Sequence, residues 1–165
     1  MRHRLFASVR NLLVEAYSIS DVMADSVLEI AITQYTRNRF ARNDDFPYVW
    51  AIALIGTPDD WVYLLNGTPP DATYLGPLRQ TDITASGAYR GHIVLGTVNA
   101  DQKSRIEEII KSVTIYTDRT DWNCQNWVLS GLRRLQSAGF LGGETFTFQG
   151  LTAALLQAEN DLMGN

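Results

Sequence analysis

The sequence has very few of the residues that build disulfides and metal sites. It contains one cysteine and two histidines among 165 residues. A single cysteine cannot close a disulfide within the chain, and it excludes a zinc site with several cysteine ligands. Two histidines are too few for most histidine-rich metal sites. We therefore expect no metal and no other cofactor, and a reducing compartment, the cytoplasm, as the natural location of the free thiol.

Long hydrophobic runs and an excess of positive charge are also missing. No apolar stretch approaches the ~18 residues of a membrane-spanning helix, so we expect no membrane span. Lys and Arg number 14 against 18 Asp and Glu, which gives a net charge of −4. Because the basic residues are also scattered, nucleic acid is not an expected partner. The first residues resemble a targeting segment, but Glu15 interrupts their apolar run, so we interpret them as part of the fold.

The sequence does contain enough apolar material for one compact core. Hydrophobic residues make up 45% of the chain and aromatic residues 10%. A chain of this length can bury a core without help from disulfides or metals. We predict a single domain over residues 1–165, without internal repeats.

The strongest β-strand signal lies in the first half of the chain. Tyr48–Ile55 is continuously apolar and is followed by turn residues and a second apolar stretch at 61–65, which predicts a hairpin. Continuous apolarity implies burial on both faces, so the first of these strands should be central. Residues 9–20 favour a strand, and Asp21 is expected to cap a helix that ends near Tyr35 or Thr36. The polar segment that follows is predicted to be a loop, residues 37–45.

The second half of the chain alternates strands and helices. Asn99 and Asp101 are expected to cap a helix whose buried side carries Ile106, Ile109 and Ile110. The other predicted elements are an irregular proline-rich loop at 67–77, strands at 78–83 and 92–98, a strand or extended segment at 113–116, and an amphipathic helix at 147–162. This order of elements predicts an α+β domain.

One stretch joins the only cysteine to the start of a helix. Asp121 and Asn123 are both residue types that cap helices, and from Cys124 onward apolar and small residues recur at helical spacing until Gly139. Unpaired backbone N–H groups and the helix dipole stabilise a thiolate at such a position. Cys124 is therefore a candidate nucleophile. The alternative interpretation is a small buried apolar side chain, which is how most lone cysteines behave.

The sequence Asn-Cys-Gln-Asn-Trp-Val at 123–128 and the strand Trp-Ala-Ile-Ala-Leu-Ile-Gly at 50–56 resemble circularly permuted papain-like proteins. That group includes NlpC-like peptidases and enzymes of the lecithin:retinol acyltransferase type. The chain is also similar to small fungal proteins of unassigned function that share the Asn-Cys-Gln-x-Trp-Val helix. The resemblance covers about residues 9–141. It implies a permuted papain-like (NlpC-like) domain, in which an antiparallel sheet packs against the cysteine-bearing helix.

The resemblance also implies a mechanism, in which the cysteine attacks an acyl carbonyl with the help of a histidine that precedes the strand tryptophan. This chain has Val49 at that position, and valine cannot accept a proton. His92 is the candidate replacement, because it lies on a predicted neighbouring strand and adjacent strands are about 5 Å apart. The alternative is a sheet histidine that faces solvent.

Several further residues are candidates for binding a substrate. Backbone N–H groups at the helix start and the Gln125 side chain could hold an oxyanion. The other candidates are aromatic or polar side chains of the hairpin and the cysteine helix: Tyr48, Trp50, Trp61, Trp122, Asn123 and Trp127. The alternative for the four tryptophans is ordinary packing in a hydrophobic core.

Three functions follow as hypotheses. The first is a cysteine-dependent hydrolase or acyltransferase that acts on a small hydrophobic ester, thioester or amide, for which a fungal natural-product intermediate would be suitable. The second is a papain-like scaffold without catalytic activity that binds a small apolar ligand or a protein partner. The third is a cyclase or isomerase in which Tyr48, His92 or an aspartate transfers protons in the same pocket.

Overall fold

A computed structural model describes residues 26–36 and 48–164 of the chain. These residues form a five-stranded sheet, three α-helices and two short 3-10 helices. The elements are β1 Val27–Thr36, β2 Tyr48–Ile55, β3 Asp60–Asn66, β4 Thr73–Gln80, a 3-10 helix Ile83–Ala85, β5 Tyr89–Asn99, a 3-10 helix Ala100–Gln102, α1 Lys103–Lys111, α2 Cys124–Ser137 and α3 Phe148–Met163. The predicted strand at 9–20, the proposed cap Asp21 and the loop at 37–45 lie outside the described residues.

The sheet is antiparallel and has the strand order β4-β3-β2-β1-β5. The predicted hairpin is confirmed, since β2 pairs with β3 from Ala51 opposite Leu64 to Leu54 opposite Trp61. Strand β2 is the middle strand, as its continuous apolarity predicted. The α+β class is confirmed. Among the described helices, none is long and apolar enough to cross a membrane.

The predicted helix that ends near Tyr35 or Thr36 is wrong, because this segment is strand β1. Residues from Val27 to Thr36 instead form a strand that pairs with β2 on one side and β5 on the other. A short apolar run suits a buried helix and a central strand equally well. The β-branched residues of this segment, such as Ile30 and Ile32, favour the strand, where both side chains are fully buried.

The predicted bounds of the loop at 67–77 and of the strand at 78–83 are wrong. Strand β4 occupies the end of the first segment and the beginning of the second. The strand begins at Thr73 and runs through Gly76 and Pro77 to Gln80. Among the described strands β4 pairs only with β3, so Pro77 lies in an edge strand, where a missing N–H need not break the ladder. The pairing of β3 with β4 shifts register at this place. The segment 113–116 is not a strand.

The helices lie on one face of the sheet. Their shared core contains residues of β1, β2 and β3 together with the inward sides of the helices, mainly Ile30, Ile52, Leu54, Tyr63, Ile106, Ile110, Trp127, Val128, Leu132 and Leu155. Helix α2 comes very close to β2, because an added Cβ at Gly131 would lie 2.7 Å from Ile52 Cδ1. The sequence-predicted helices at this face are all confirmed, although Asn99 makes no side-chain capping bond.

The opposite face is covered by the connection between β4 and β5, residues 81–88, which we call the crossover. Since β4 and β5 are the two outer strands of the sheet, this connection must pass over the strands between them. Ile83 of the crossover is buried against Ala51, Val62 and Tyr89. The buried carboxylate of Asp60 fixes the crossover by accepting a hydrogen bond from Ile83 N at 2.9 Å.

Candidate functional site

Cys124 is the first residue of helix α2, as the sequence predicted. Asn123 is the N-cap, and its side chain accepts a hydrogen bond from Gln125 N at 2.8 Å. In return Asn126 Oδ1 accepts one from Asn123 N at 2.9 Å, which completes a capping box. Asp121, the other proposed cap, instead forms an exposed ion pair with Arg119. The cap fixes where the helix starts and therefore where the thiol lies.

A cavity of about 510 Å³ opens beside Cys124. It lies at the end of the sheet where β1 and β3 finish and β2 begins, and it includes the turn after β3. Its lining residues are Tyr35, Thr36, Val49, Leu64, Leu65, Asn66, Gly67, Thr68, Leu75 and Cys124. Side chains from four strands and one helix start therefore meet at a single concave site.

The lining changes from apolar to polar along the cavity. Leu65 and Cys124 are only 1% and 2% exposed, whereas Asn66 and Thr68 are exposed at the surface. None of the described lining residues carries a formal charge at neutral pH. Burial raises the pKa of Tyr35 above its usual value, so that this phenol also stays uncharged. The part of the wall formed by described residues is therefore uncharged, with buried apolar side chains and an exposed polar rim.

Val49 and Cys124 line the same cavity. Val49 is the residue that stands where the resembling proteins have their histidine. The valine side chain cannot take a proton, so it cannot serve as a base for the thiol. In the described part of the chain, no histidine, aspartate, glutamate or lysine lines this cavity to replace it.

His92 does not lie with Cys124. It pairs with Thr33 in the sheet, while its neighbour Ile93 packs into the core on the helix side. Since successive side chains of a strand point to opposite faces, His92 points to the crossover side. A register shift in β5 also puts Tyr89 on that side, where its hydroxyl is 2.6 Å from His92 Nδ1. The structure thus places His92 and the cysteine on opposite faces of the sheet.

The proposed oxyanion donors are largely engaged. The Asn123 side chain accepts from the Gln125 amide, and its capping box also takes the Asn126 amide. Asn123 therefore acts as a helix cap in this structure. Gln125 is buried, and its Oε1 has no hydrogen-bond partner among the described residues. Only the NH₂ group of this side chain could donate to an oxyanion, and Gln125 is not among the residues that line the cavity.

The tryptophans that flank the site in the sequence are core residues in the fold. Trp50 is buried and stacks on Phe148 of α3, with ring centroids 5.6 Å apart. Trp127 is fully buried and faces the ring of Tyr74 at 6.0 Å. Trp122 is also buried. None of these three indoles lines the cavity, so the packing interpretation accounts for their positions.

Tyr48 and Trp61 also lie away from the cavity lining. Tyr48 donates a hydrogen bond from its hydroxyl to Glu159 Oε2 at 2.8 Å, which ties the start of β2 to α3. The same bond is the main cause that raises the pKa of Tyr48. Lys103 Nζ lies 3.8 Å from the ring centroid of Trp61, a cation–π contact between β3 and α1. Both aromatic side chains connect elements of the fold.

Sequence reasoning missed most of the residues that form the cavity. Tyr35 and Thr36 were assigned to a helix, and Leu75 to an irregular loop. Their positions follow only once the strands are paired, because β4, β3, β2 and β1 meet at this end of the sheet. The Asn66-Gly67 pair is the local sequence signal that indicates the turn at the rim of the cavity, because Asn-Gly favours a turn with positive φ. In the structure Gly67 has φ +82°.

Comparison with known proteins gives one match. No curated protein and no solved structure matches the chain. A model described as "Family of unknown function (DUF6540)" matches residues 35–142, which is more than half of the chain. The matched range contains every cavity-lining residue, from Tyr35 to Cys124, and the whole of helix α2. The chain therefore belongs to the DUF6540 family.

Proposed function

We propose that this protein binds a small hydrophobic molecule in the cavity beside Cys124. The observation that carries the proposal is the cavity itself. Its volume of about 510 Å³ falls within the range of about 300–1,000 Å³ that is typical of small-molecule sites. Val49, Leu64, Leu65 and Leu75 contribute apolar side chains to its lining, and apolar walls of this kind favour ligands that remove apolar surface from water.

We further propose that the scaffold is a permuted papain-like domain that has no catalytic histidine. Three observations support this proposal. The cysteine starts a helix that packs on the central strand β2, the sheet is antiparallel, and residue 49 of β2 shares a cavity with the thiol. A scaffold that keeps this geometry and carries Val49 in place of a base is suited to binding rather than to acyl transfer. The single free thiol supports a reducing compartment as its location.

A cysteine hydrolase or acyltransferase is the second candidate, and the observation that favours it is the thiol in the cavity wall. Such an enzyme needs a base within hydrogen-bond reach and donors for the oxyanion. His92 lies on the other face of the sheet, and the amides of Gln125 and Asn126 are held by the cap. The cyclase or isomerase hypothesis has less support, since neither Tyr48 nor His92 lines the cavity.

Binding can be measured with a small uncharged fluorophore such as aminoanthracene, whose emission rises in apolar surroundings. We expect saturable binding to one site in the wild type. Val49→Phe should weaken it by at least about tenfold, because the larger ring fills the cavity. The matched control is Val94→Phe, since Val94 is 46% exposed on β5 and does not line the cavity. Equal binding by both variants would contradict the proposal.

Substitution of Cys124 distinguishes a binding function from a catalytic one. Cys124→Ala should leave fluorophore binding within a factor of about three, because one small lining residue replaces another. Under the second candidate, the same variant would abolish turnover of a small hydrophobic thioester that the wild type hydrolyses. Turnover by the wild type that disappears in Cys124→Ala would move the conclusion from binder to enzyme.

A further inference from the structure

The two ends of the cavity differ in polarity. Leu65 and Cys124 close the inner end and are almost completely buried. Asn66, Gly67 and Thr68 form the outer end, and all three are exposed. A ligand that fills this space therefore meets apolar side chains at its inner end, while its outer end lies beside an amide, a hydroxyl and water.

The described lining residues of the cavity are also uncharged. In the described part of the chain, no lining residue could pair with an ionised ligand group. Asp71, whose amide N–H donates to Thr68 O at 2.9 Å, is the ionisable residue of the turn that forms the rim. A carboxylate placed in the cavity would lose water without gaining a counter-charge, which is costly.

We propose that the ligand is an uncharged amphiphile that binds with its apolar end against Leu65 and Cys124 and its polar end at Asn66 and Thr68. This inference rests on the proposed binding function and adds the charge state and the orientation of the ligand. The polar end receives or donates neutral hydrogen bonds at the rim, whose side chains provide both kinds of group. The apolar end contributes most of the affinity through burial.

A matched pair of probes tests the charge state. Phenylbutanol and phenylbutanoate have similar size and shape, and at about pH 8 the acid is fully ionised. Each is titrated against the protein with aminoanthracene bound, and displacement is followed by fluorescence. We expect the alcohol to displace the fluorophore at a concentration lower by at least about tenfold than the acid, since an unpaired charge near an apolar wall is unfavourable.

Charge insertion at the rim tests the orientation. Thr68→Lys should improve displacement by phenylbutanoate about fivefold or more and leave phenylbutanol nearly unchanged, because the new ammonium can pair with the carboxylate. Asn66→Lys repeats the test at the neighbouring rim position. Thr145→Lys is the matched control, since Thr145 is exposed and does not line the cavity. It should leave the preference of the wild type intact.

Each outcome decides a different statement. If aminoanthracene does not bind, the proposed binding function fails, and this inference fails with it. If aminoanthracene binds but phenylbutanoate displaces it as well as phenylbutanol, or if neither displaces it, binding stands and the uncharged amphiphile is wrong. If both lysine variants at the rim act like Thr145→Lys, the proposed orientation is wrong.

Discussion

Asp60 offers the sharpest test of how the second face of the sheet is held together. Its side chain is only 6% exposed, and each carboxylate oxygen accepts a separate backbone hydrogen bond. Oδ1 accepts from Gly56 N at 3.1 Å, in the turn between β2 and β3, and Oδ2 accepts from Ile83 N at 2.9 Å, in the crossover. One side chain thus fixes a tight turn and the segment that covers the sheet.

The expected effect follows from these two bonds. A hydrogen bond to a charged group contributes about 1.5–3 kcal/mol, so loss of both bonds in Asp60→Ala should lower the free energy of unfolding by about 3–6 kcal/mol. Asp60→Asn should cost about half as much, because an amide has one oxygen and its NH₂ group would face a second N–H donor.

Urea denaturation followed by tryptophan fluorescence measures these differences. The matched control is Asp59→Ala, which removes an ion pair between the neighbouring carboxylate and the mostly exposed Arg79. A surface pair of this kind contributes little to stability. If Asp60→Asn were as stable as the wild type, or Asp60→Ala cost no more than Asp59→Ala, the role assigned to this carboxylate would be wrong. Asp60→Asn keeps the test decisive if the alanine variant does not fold.

Three further substitutions test the site and its support. Val49→His should accelerate alkylation of Cys124 by iodoacetamide at neutral pH, because it places an imidazole in the same cavity. Val49→Gln, whose side chain is polar but not basic, should not accelerate the alkylation. Equal rates for the two variants would contradict the reasoning. Asn123→Ala should lower the free energy of unfolding in urea by about 1 kcal/mol through loss of the N-cap, and no loss would argue against the capping box. Gly91→Ala should lower the free energy of unfolding by about 2–4 kcal/mol in the same assay, because φ is +113° and the added Cβ would lie 3.1 Å from the backbone of α3. The control Gly87→Ala should be nearly neutral, because Gly87 has open space around it and no positive φ.

The sequence predicted best those elements whose signals are local. The start of α2 was located correctly because Asn123 and Cys124 belong to a short pattern of cap and helical spacing. The hairpin of β2 and β3 was located because turn residues separate two dense apolar runs. In both cases neighbours in the chain decide the structure, so no knowledge of distant contacts was needed.

The elements that the sequence predicts wrongly depend on which distant segments become neighbours in the fold. Whether Val27–Thr36 is a strand was decided by two partners, one of them more than 50 residues away, at β5. Pro77 was compatible with a strand only because β4 is at the edge of the described sheet. The face on which His92 lies depends on the strand order and on the register shift beside Tyr89. None of these features is visible in a short window of sequence, so the sequence alone could not show that His92 and Cys124 lie on opposite faces of the sheet.

The start of helix α2 shows why a cysteine at a helix N-terminus does not by itself indicate catalysis. Asn123, which makes the helix start recognisable in the sequence, accepts hydrogen bonds from the backbone N–H groups of Gln125 and Asn126, and an oxyanion at this helix start would need such donors. The cap stabilises the fold by engaging those donors within the helix. A catalytic site would have to leave such donors free and supply a base, whereas here position 49 supplies a methyl-bearing wall. Without free donors and without a base, the site still offers its concave surface. The cavity lined by Val49, Leu65 and Cys124, rather than the thiol alone, is therefore the feature on which the proposed function depends.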